Sequence, residues 1–396
     1  MNLDKKVLYI CPNGYMGGAE RFVVDAAFAH KKYGSWHPSI LFFSSGDAVT
    51  AAEKRGIDFL VLPFSFRLSR PVSLWKATVF IHRFARQHNF DVVHGTMPYG
   101  YIMAWLGTLF LPIRRVWYQH GPVGGILDKI ACWLFPHRLL YNSTFLREKH
   151  EAYDWQNRGR QIHHIVPCAI SEEEPNQERV EAIRQQYLQP GQVLVLLAGR
   201  ISRCKGYDTY FRAISKICSP REGSPADVLM TIVVGDATMP EDKIYFEELK
   251  DLVNDLHLEN RIQFVGRQSD MANYFRAADL FIHCSNVPEP FGLVVGEAMI
   301  QDTFVIGSSA GGIKEMLMNG KTGWSYDATS HNAVEQLAHL MVKIPDVIHS
   351  EPISRLKKAG RDLVKKKFSQ PRLVADLEMI YDSLLNRSEE PEKSAG

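Results

Sequence analysis

Two glutamates eight positions apart, Glu289 and Glu297, bracket the stretch Pro288-Glu289-Pro290-Phe291-Gly292-Leu293-Val294-Val295-Gly296-Glu297-Ala298. Proline has no N–H to leave unbonded, so Pro290 suits a helix start. The N–H groups of Phe291, Gly292 and Leu293 would then face outward and bind an anion. Glu289 lies just ahead of that helix and Glu297 inside it, so both can face one ligand. A second cluster, Ala198-Gly199-Arg200-Ile201-Ser202-Arg203-Cys204-Lys205-Gly206, sets Arg200 and Lys205 on one glycine-bounded turn. An Arg and a Lys converging on one anionic group would stabilise charge that grows on it, while solvated surface charge is the plainer reading of such a turn alone. Arg203 reads as an extra, solvated cation.

Other turns carry glycines or a histidine after a strand-like run. They are Gly17-Gly18-Ala19-Glu20-Arg21, His120-Gly121, Val234-Gly235-Asp236, Val265-Gly266-Arg267, Ser309-Ala310-Gly311-Gly312-Ile313-Lys314-Glu315 and Asn319-Gly320-Lys321-Thr322-Gly323. No G-x-G-x-x-G is present, which argues against a nicotinamide dinucleotide site.

The glutamate stretch resembles the E-x7-E motif of retaining family 4 glycosyltransferases, which have the GT-B fold, and matches nearly letter for letter. The Arg200–Gly206 turn is similar to that family's G-R-x4-K-G, and the remaining turns to its G-G-x-E, H-G, G-D-G, base-reading, G-G-x-x-E and D-G-x-x-G segments. The resemblance implies a nucleotide-sugar donor, a UDP-sugar first, with GDP and ADP open. It places Glu289, His120, Arg200 and Lys205 in catalysis. Gly17, Gly18, Gly235, Arg267, Phe291, Gly292, Leu293 and Glu297 would bind the donor, with Glu297 on the ribose and His120 facing the transferred sugar. It further implies front-face transfer of a hexose-type sugar with retention, to a sugar or lipid-linked hydroxyl, in polysaccharide or glycolipid assembly. Three departures stand out: Ala237 replaces the second glycine of G-D-G, Pro167-Cys168-Ala169-Ile170 replaces a Pro-Asn-Gly-Val linker, and no D-x-D occurs. No cofactor or metal is therefore expected, Arg200 and Lys205 taking the metal's electrostatic role. His94 reads as structural or acceptor-lining.

Alternating short β-rich runs and amphipathic helical stretches must position these turns. Strands are expected at Val7–Cys11, 39–43, 59–63, 92–94, 116–119 and 139–141, then after a linker near 165–174 at Val193–Ala198, 228–234, 262–265, Leu280–His283 and 304–306. This α/β alternation predicts two doubly wound, Rossmann-like domains in tandem, with ligands at the carboxyl ends of the strands. The domains are expected at 1–168 (acceptor side) and 169–370 (nucleotide-sugar side), with a C-terminal helix, 371–386, crossing back to the first domain and a disordered tail, 387–396. A length of 396 residues, 45% apolar and 23% charged, suits two globular domains.

The net charge of +2 hides an asymmetry: 20 Lys/Arg against 11 Asp/Glu up to residue 170, and 26 against 33 beyond. The basic half suits an anionic partner, or reflects charge drift between domains. Phe66–Pro71 and the helix after it, with Trp75, Lys76, Arg83 and Arg86, read either as a weak anionic membrane contact or as a solvated helix face. No nucleic-acid partner is implied. Six dispersed cysteines without C-x-x-C argue against a disulfide framework or zinc site and suit a reducing compartment. The apolar stretch 101–113 is shorter than the ~20 residues of a membrane-spanning helix. The expected location is cytoplasmic, peripheral at the inner membrane face where the acceptor is lipid-linked. The alternatives are another GT-B enzyme, such as an α-glucan synthase or phosphorylase, and a non-catalytic nucleotide-sugar-binding GT-B scaffold or sensor.

Overall fold

A computed structural model describes residues 5–153, 162–218 and 227–386. The tail expected to be disordered, 387–396, lies outside the described residues. The chain divides into two compact units. The first runs to Ala169 and resumes at Phe368; the second is Ile170–Lys367. The divisions thus fall after 169 and 367, against 168 and 370 expected from the sequence.

The first unit holds one parallel sheet made of β1 (Lys6–Cys11), β2 (His37–Phe42), β3 (Asp58–Val61), β4 (Val92–Thr96), β5 (Arg114–Gln119), β6 (Arg138–Tyr141) and β7 (His163–Ile165), in the order β3-β2-β1-β4-β5-β6-β7. Val7 to Cys11 are all buried, because helices cover both faces and a parallel strand then reads as an unbroken apolar run. The helix Gln370–Asn386 packs on the helix Gly18–Tyr33 within this unit. Its Glu378 accepts hydrogen bonds from the Ser35 N–H (2.6 Å), the Ser35 hydroxyl (2.9 Å) and the Trp36 N–H (3.1 Å).

The second unit repeats the plan with β8 (Val193–Ala198), β9 (Leu229–Val234), β10 (Ile262–Gly266), β11 (Leu280–His283), β12 (Phe304–Ser308) and β13 (Trp324–Tyr326), in the order β10-β9-β8-β11-β12-β13. Strand order reverses between β8 and β11, and between β1 and β4 in the first unit, so each sheet has one switch point where ligands of such folds bind. The strands β7 and β13 were not expected. Each is three residues long, at a sheet edge, with the unpatterned sequences His-His-Ile and Trp-Ser-Tyr, so neither carries a periodic signal.

Candidate active site

Gly199–Gly206 leaves β8 and the 284–292 loop leaves β11, the two strands that flank the switch point of the second unit. They are stapled together. The Asn286 N–H donates to the Cys204 carbonyl (3.1 Å), and the Asn286 side-chain amide donates to the Arg203 carbonyl (3.0 Å). Gly206 sits at φ 63° against the Cys284 carbonyl, where any side chain would collide with backbone. This staple brings Lys205 onto Glu289, and the two form an ion pair. The Ser285 hydroxyl donates to the same carboxylate oxygen at 2.7 Å, and His283 Nε2 lies 3.5 Å from it without an aligned hydrogen bond.

Only 15% of the Glu289 side chain is exposed. Burial pushes its carboxyl up, but His283 and Lys205 outweigh that and hold it well below the usual carboxylate range. The backbone of Glu289 is pinned as well. It bridges to Gly311, and its carbonyl accepts from the Gly312 N–H at 2.7 Å. Gly311, at φ 86°, leaves room for this contact, since a Cβ there would lie 2.7 Å from the Glu289 nitrogen. The Gly311-Gly312 pair thus admits the Glu289 backbone.

The helix carrying Glu297 begins at Leu293 rather than at Pro290, with Gly292 as its left-handed N-cap at φ 86°. Phe291 lies before the helix with its side chain buried, and Gly292 and Leu293 stand at the helix N-terminus. Their N–H groups make no hydrogen bond among the described residues. Glu297 is buried one turn further in.

Arg200 and Lys205 do not share a partner. Arg200 Nη1 contacts Asp242 Oδ2 at 3.4 Å, and Asp242 also caps the helix Pro240–Asp255 through the Met239 N–H (3.3 Å). Arg203 is exposed, as expected, and paired to Glu248 at 2.5 Å. Gly235 packs onto the Gly199 carbonyl, its N–H donates to the Gly266 carbonyl (3.0 Å), and Ala237 is part of the hydrophobic core. That turn holds strand ends together, which explains why a methyl group is tolerated at 237. Arg267 is exposed just beyond β10.

In the first unit, Gly17 caps the helix opened by Gly18, and Glu20 of the same turn accepts from the Asn13 amide at 3.0 Å. His120 follows β5 and lies among the rings of Phe22 (4.7 Å) and Tyr118 (4.2 Å), its Nε2 buried without a partner. Burial lowers its pKa to about 3, so the ring is neutral near pH 7. His94 is fully buried and its Nδ1 meets the Tyr381 hydroxyl at 2.6 Å, which makes it part of the core.

Sequence reasoning did not single out His283, Ser285 or Asp242. Ser285 and His283 lie four and six residues before Glu289 on the loop and strand already of interest. Asp242, at the third position of a helix opened by Pro240, had a readable capping signal.

Residues 179–362 match the family model described as Glycosyl transferases group 1, and residues 16–170 match Glycosyltransferase Family 4. The chain belongs to the family 4, group 1 glycosyltransferases. It is 32% identical over 154 residues to an N-acetyl-alpha-D-glucosaminyl L-malate synthase of Bacillus anthracis, covering 39% of this chain and 37% of that protein. It is 29% identical over 303 residues to the lipopolysaccharide core biosynthesis mannosyltransferase LpcC of Rhizobium leguminosarum bv. viciae, covering 69% of this chain and 80% of that one. Among solved structures, a glycosyltransferase from Rickettsia africae superimposes with a TM-score of 0.82 at 20% identity, over 99% of this chain and 100% of that one. HepE of Anabaena in complex with UDP-glucose gives 0.78 at 21% identity, over 96% and 99%. These likenesses establish the fold of this family 4 glycosyltransferase as GT-B, built from two Rossmann-like domains.

Proposed function

We propose that this glycosyltransferase moves a hexosyl group from a nucleoside diphosphate sugar, a UDP-sugar first, to a hydroxyl of a sugar or lipid-linked acceptor, with retention and without a metal. The observation that carries the reading is the part-buried Lys205–Glu289 pair, close in the chain to the N–H groups of Gly292 and Leu293, which make no hydrogen bond among the described residues. In this reading Lys205 leaves Glu289 for the diphosphate, joined by Arg200 from Asp242, while Gly292 and Leu293 donate to the same phosphates. Glu289 then accepts from the transferred sugar, and Glu297 from the ribose. The acceptor oxygen bonds to C1 as the C1–O bond to phosphate breaks on the same face, and the leaving phosphate takes the acceptor's proton. For retention, and for the roles of His120, Gly17 and Gly18, the support is the family resemblance alone. Uracil as the base is suggested by the UDP-glucose complex of HepE, and a lipid-linked acceptor by the lipopolysaccharide enzyme LpcC.

The test is thermal unfolding against UDP, GDP and ADP and their sugars, then transfer with and without EDTA. A cognate nucleotide at 100 times its dissociation constant adds roughly 2.7 kcal/mol of stability. Stabilisation by UDP with EDTA-resistant transfer is expected. Loss of transfer on chelation overturns the metal-free part. Donor binding with neither transfer nor hydrolysis would favour a non-catalytic sensor.

A further inference from the structure

The first unit bears a cationic surface that the proposed chemistry does not use. Residues 59–127 contain seven Lys/Arg and one acidic side chain, Asp91. The Asp91 carboxylate is already engaged by the Lys6 N–H at 2.8 Å. Arg67, Arg70, Lys76, Arg83 and Arg86 are all exposed, and none forms an ion pair among the described residues. The helix Pro71–His88 explains the placement. Ala77, Ile81 and Ala85 recur every fourth residue and face the core. Val72, Trp75, Lys76, Arg83 and Arg86 fall on the opposite stripe and face outward.

That stripe is not only charged. Val72 is 70% exposed and Trp75 65% exposed, at the first turns of the same helix. The helix Met97–Gly107 packs against both Pro71–His88 and Ile126–Trp133, so the three helices form one layer. On Ile126–Trp133 the residues Ile126, Ile130 and Trp133 point outward at steps of four and three, with Lys129 between them. Two tryptophans and three aliphatic side chains are thus exposed in one helical layer, beside five unneutralised cations.

We propose that this layer docks reversibly on an anionic lipid bilayer. A duplex or a sulfated polyanion would satisfy the cations but leave exposed Trp75, Val72 and Trp133 without a partner. A bilayer surface offers both anionic headgroups and an apolar boundary that indole rings favour. Among the described residues no helix is long and apolar enough to cross a membrane, so the contact is surface attachment. The proposal stands on the surface alone, whichever donor is used, and it would place a lipid-linked acceptor within reach.

The experiment is co-sedimentation of the full chain with phosphatidylcholine vesicles, with and without phosphatidylglycerol, at low and high salt, and with heparin as a competing polyanion. Binding is expected only to vesicles containing phosphatidylglycerol, and it weakens with salt. Removing one such cation weakens partitioning about fivefold, so Arg83→Ala with Arg86→Ala should lose roughly 25-fold at low salt. Trp75→Ala should weaken vesicle binding and leave heparin binding unchanged. Both variants are at exposed positions, and unchanged thermal unfolding would show that they fold. No binding at low salt, or binding to vesicles that neither variant weakens, overturns the proposal. Binding to heparin with none to vesicles assigns the surface to a soluble polyanion and overturns it too. Vesicle binding is read without turnover, so its failure is separate from any failure of the donor reading.

Discussion

Lys205→Ala tests the centre of the candidate site, because this side chain has one job in the resting protein and another in the proposed reaction. At rest it neutralises Glu289, whose side chain is 15% exposed and otherwise meets Ser285 at 2.7 Å and His283 at 3.5 Å. Truncation removes a charge-assisted hydrogen bond and leaves a mostly buried carboxylate with only Ser285 and the more distant His283 against it. The cost should be about 1.5–3 kcal/mol. For a unit of this size that corresponds to roughly 3–12 °C in melting temperature. Adding Glu289→Gln removes the stranded charge while keeping an acceptor for Ser285, so the double variant should melt above Lys205→Ala. In turnover the ordering is different. Loss of a cation that stabilises the departing diphosphate should cost on the order of 10²–10³, and the second substitution cannot restore it. Scanning calorimetry and initial-rate assays on the two single variants and the double decide the matter. A Lys205→Ala variant with wild-type melting and turnover refutes both roles. A double variant that melts no higher than Lys205→Ala shows that the ion pair is not the resting contact.

Three further outcomes follow from the same geometry. Glu297→Ala should weaken free-nucleotide binding by roughly ten- to a hundredfold, whereas Glu289→Ala should spare it and lower turnover; inhibition constants of free nucleotide against both variants check this, and the reverse pattern inverts the donor along the helix. His120 titrates at about 3 and is neutral from pH 5 to 8, so His120→Ala should lower turnover without moving either limb of the pH profile of kcat/KM in that range; a limb that disappears in the variant contradicts this. The Glu378 carboxyl is held at about 2, because hydrogen bonds from His30, Ser35 and Trp36 overcome the opposing effect of burial. Its folded value lies below its ordinary 4.5, so its contribution is full above that pH and is lost as pH falls towards 2. Glu378→Gln should therefore lower the melting temperature at pH 7 and flatten its fall between pH 5 and 2, as thermal scans across that range would show.

Much of the molecule was legible from local sequence. Buried parallel strands read as unbroken apolar runs, and Val193–Ala198 and Leu280–His283 have the bounds the sequence predicts. The turns after those strands follow from the alternation of elements, and the glutamate stretch carries the family resemblance in its own letters. What the sequence could not determine is which side chain meets which. Lys205 and Glu289 are 84 positions apart, and their pairing depends on the Asn286 bonds and the glycine at 206, which exist only once β8 and β11 lie side by side. Arg200 resembles Lys205 in charge and loop, yet it is drawn to Asp242 because a helix N-terminus happens to present that carboxylate. The three-residue edge strands are likewise set by a neighbour's ladder and not by their own composition. Sequence periodicity reports which face of an element is apolar, because burial is a property each residue carries along the chain. Ion pairs and backbone approaches are properties of two segments at once, and so they were decided by tertiary structure.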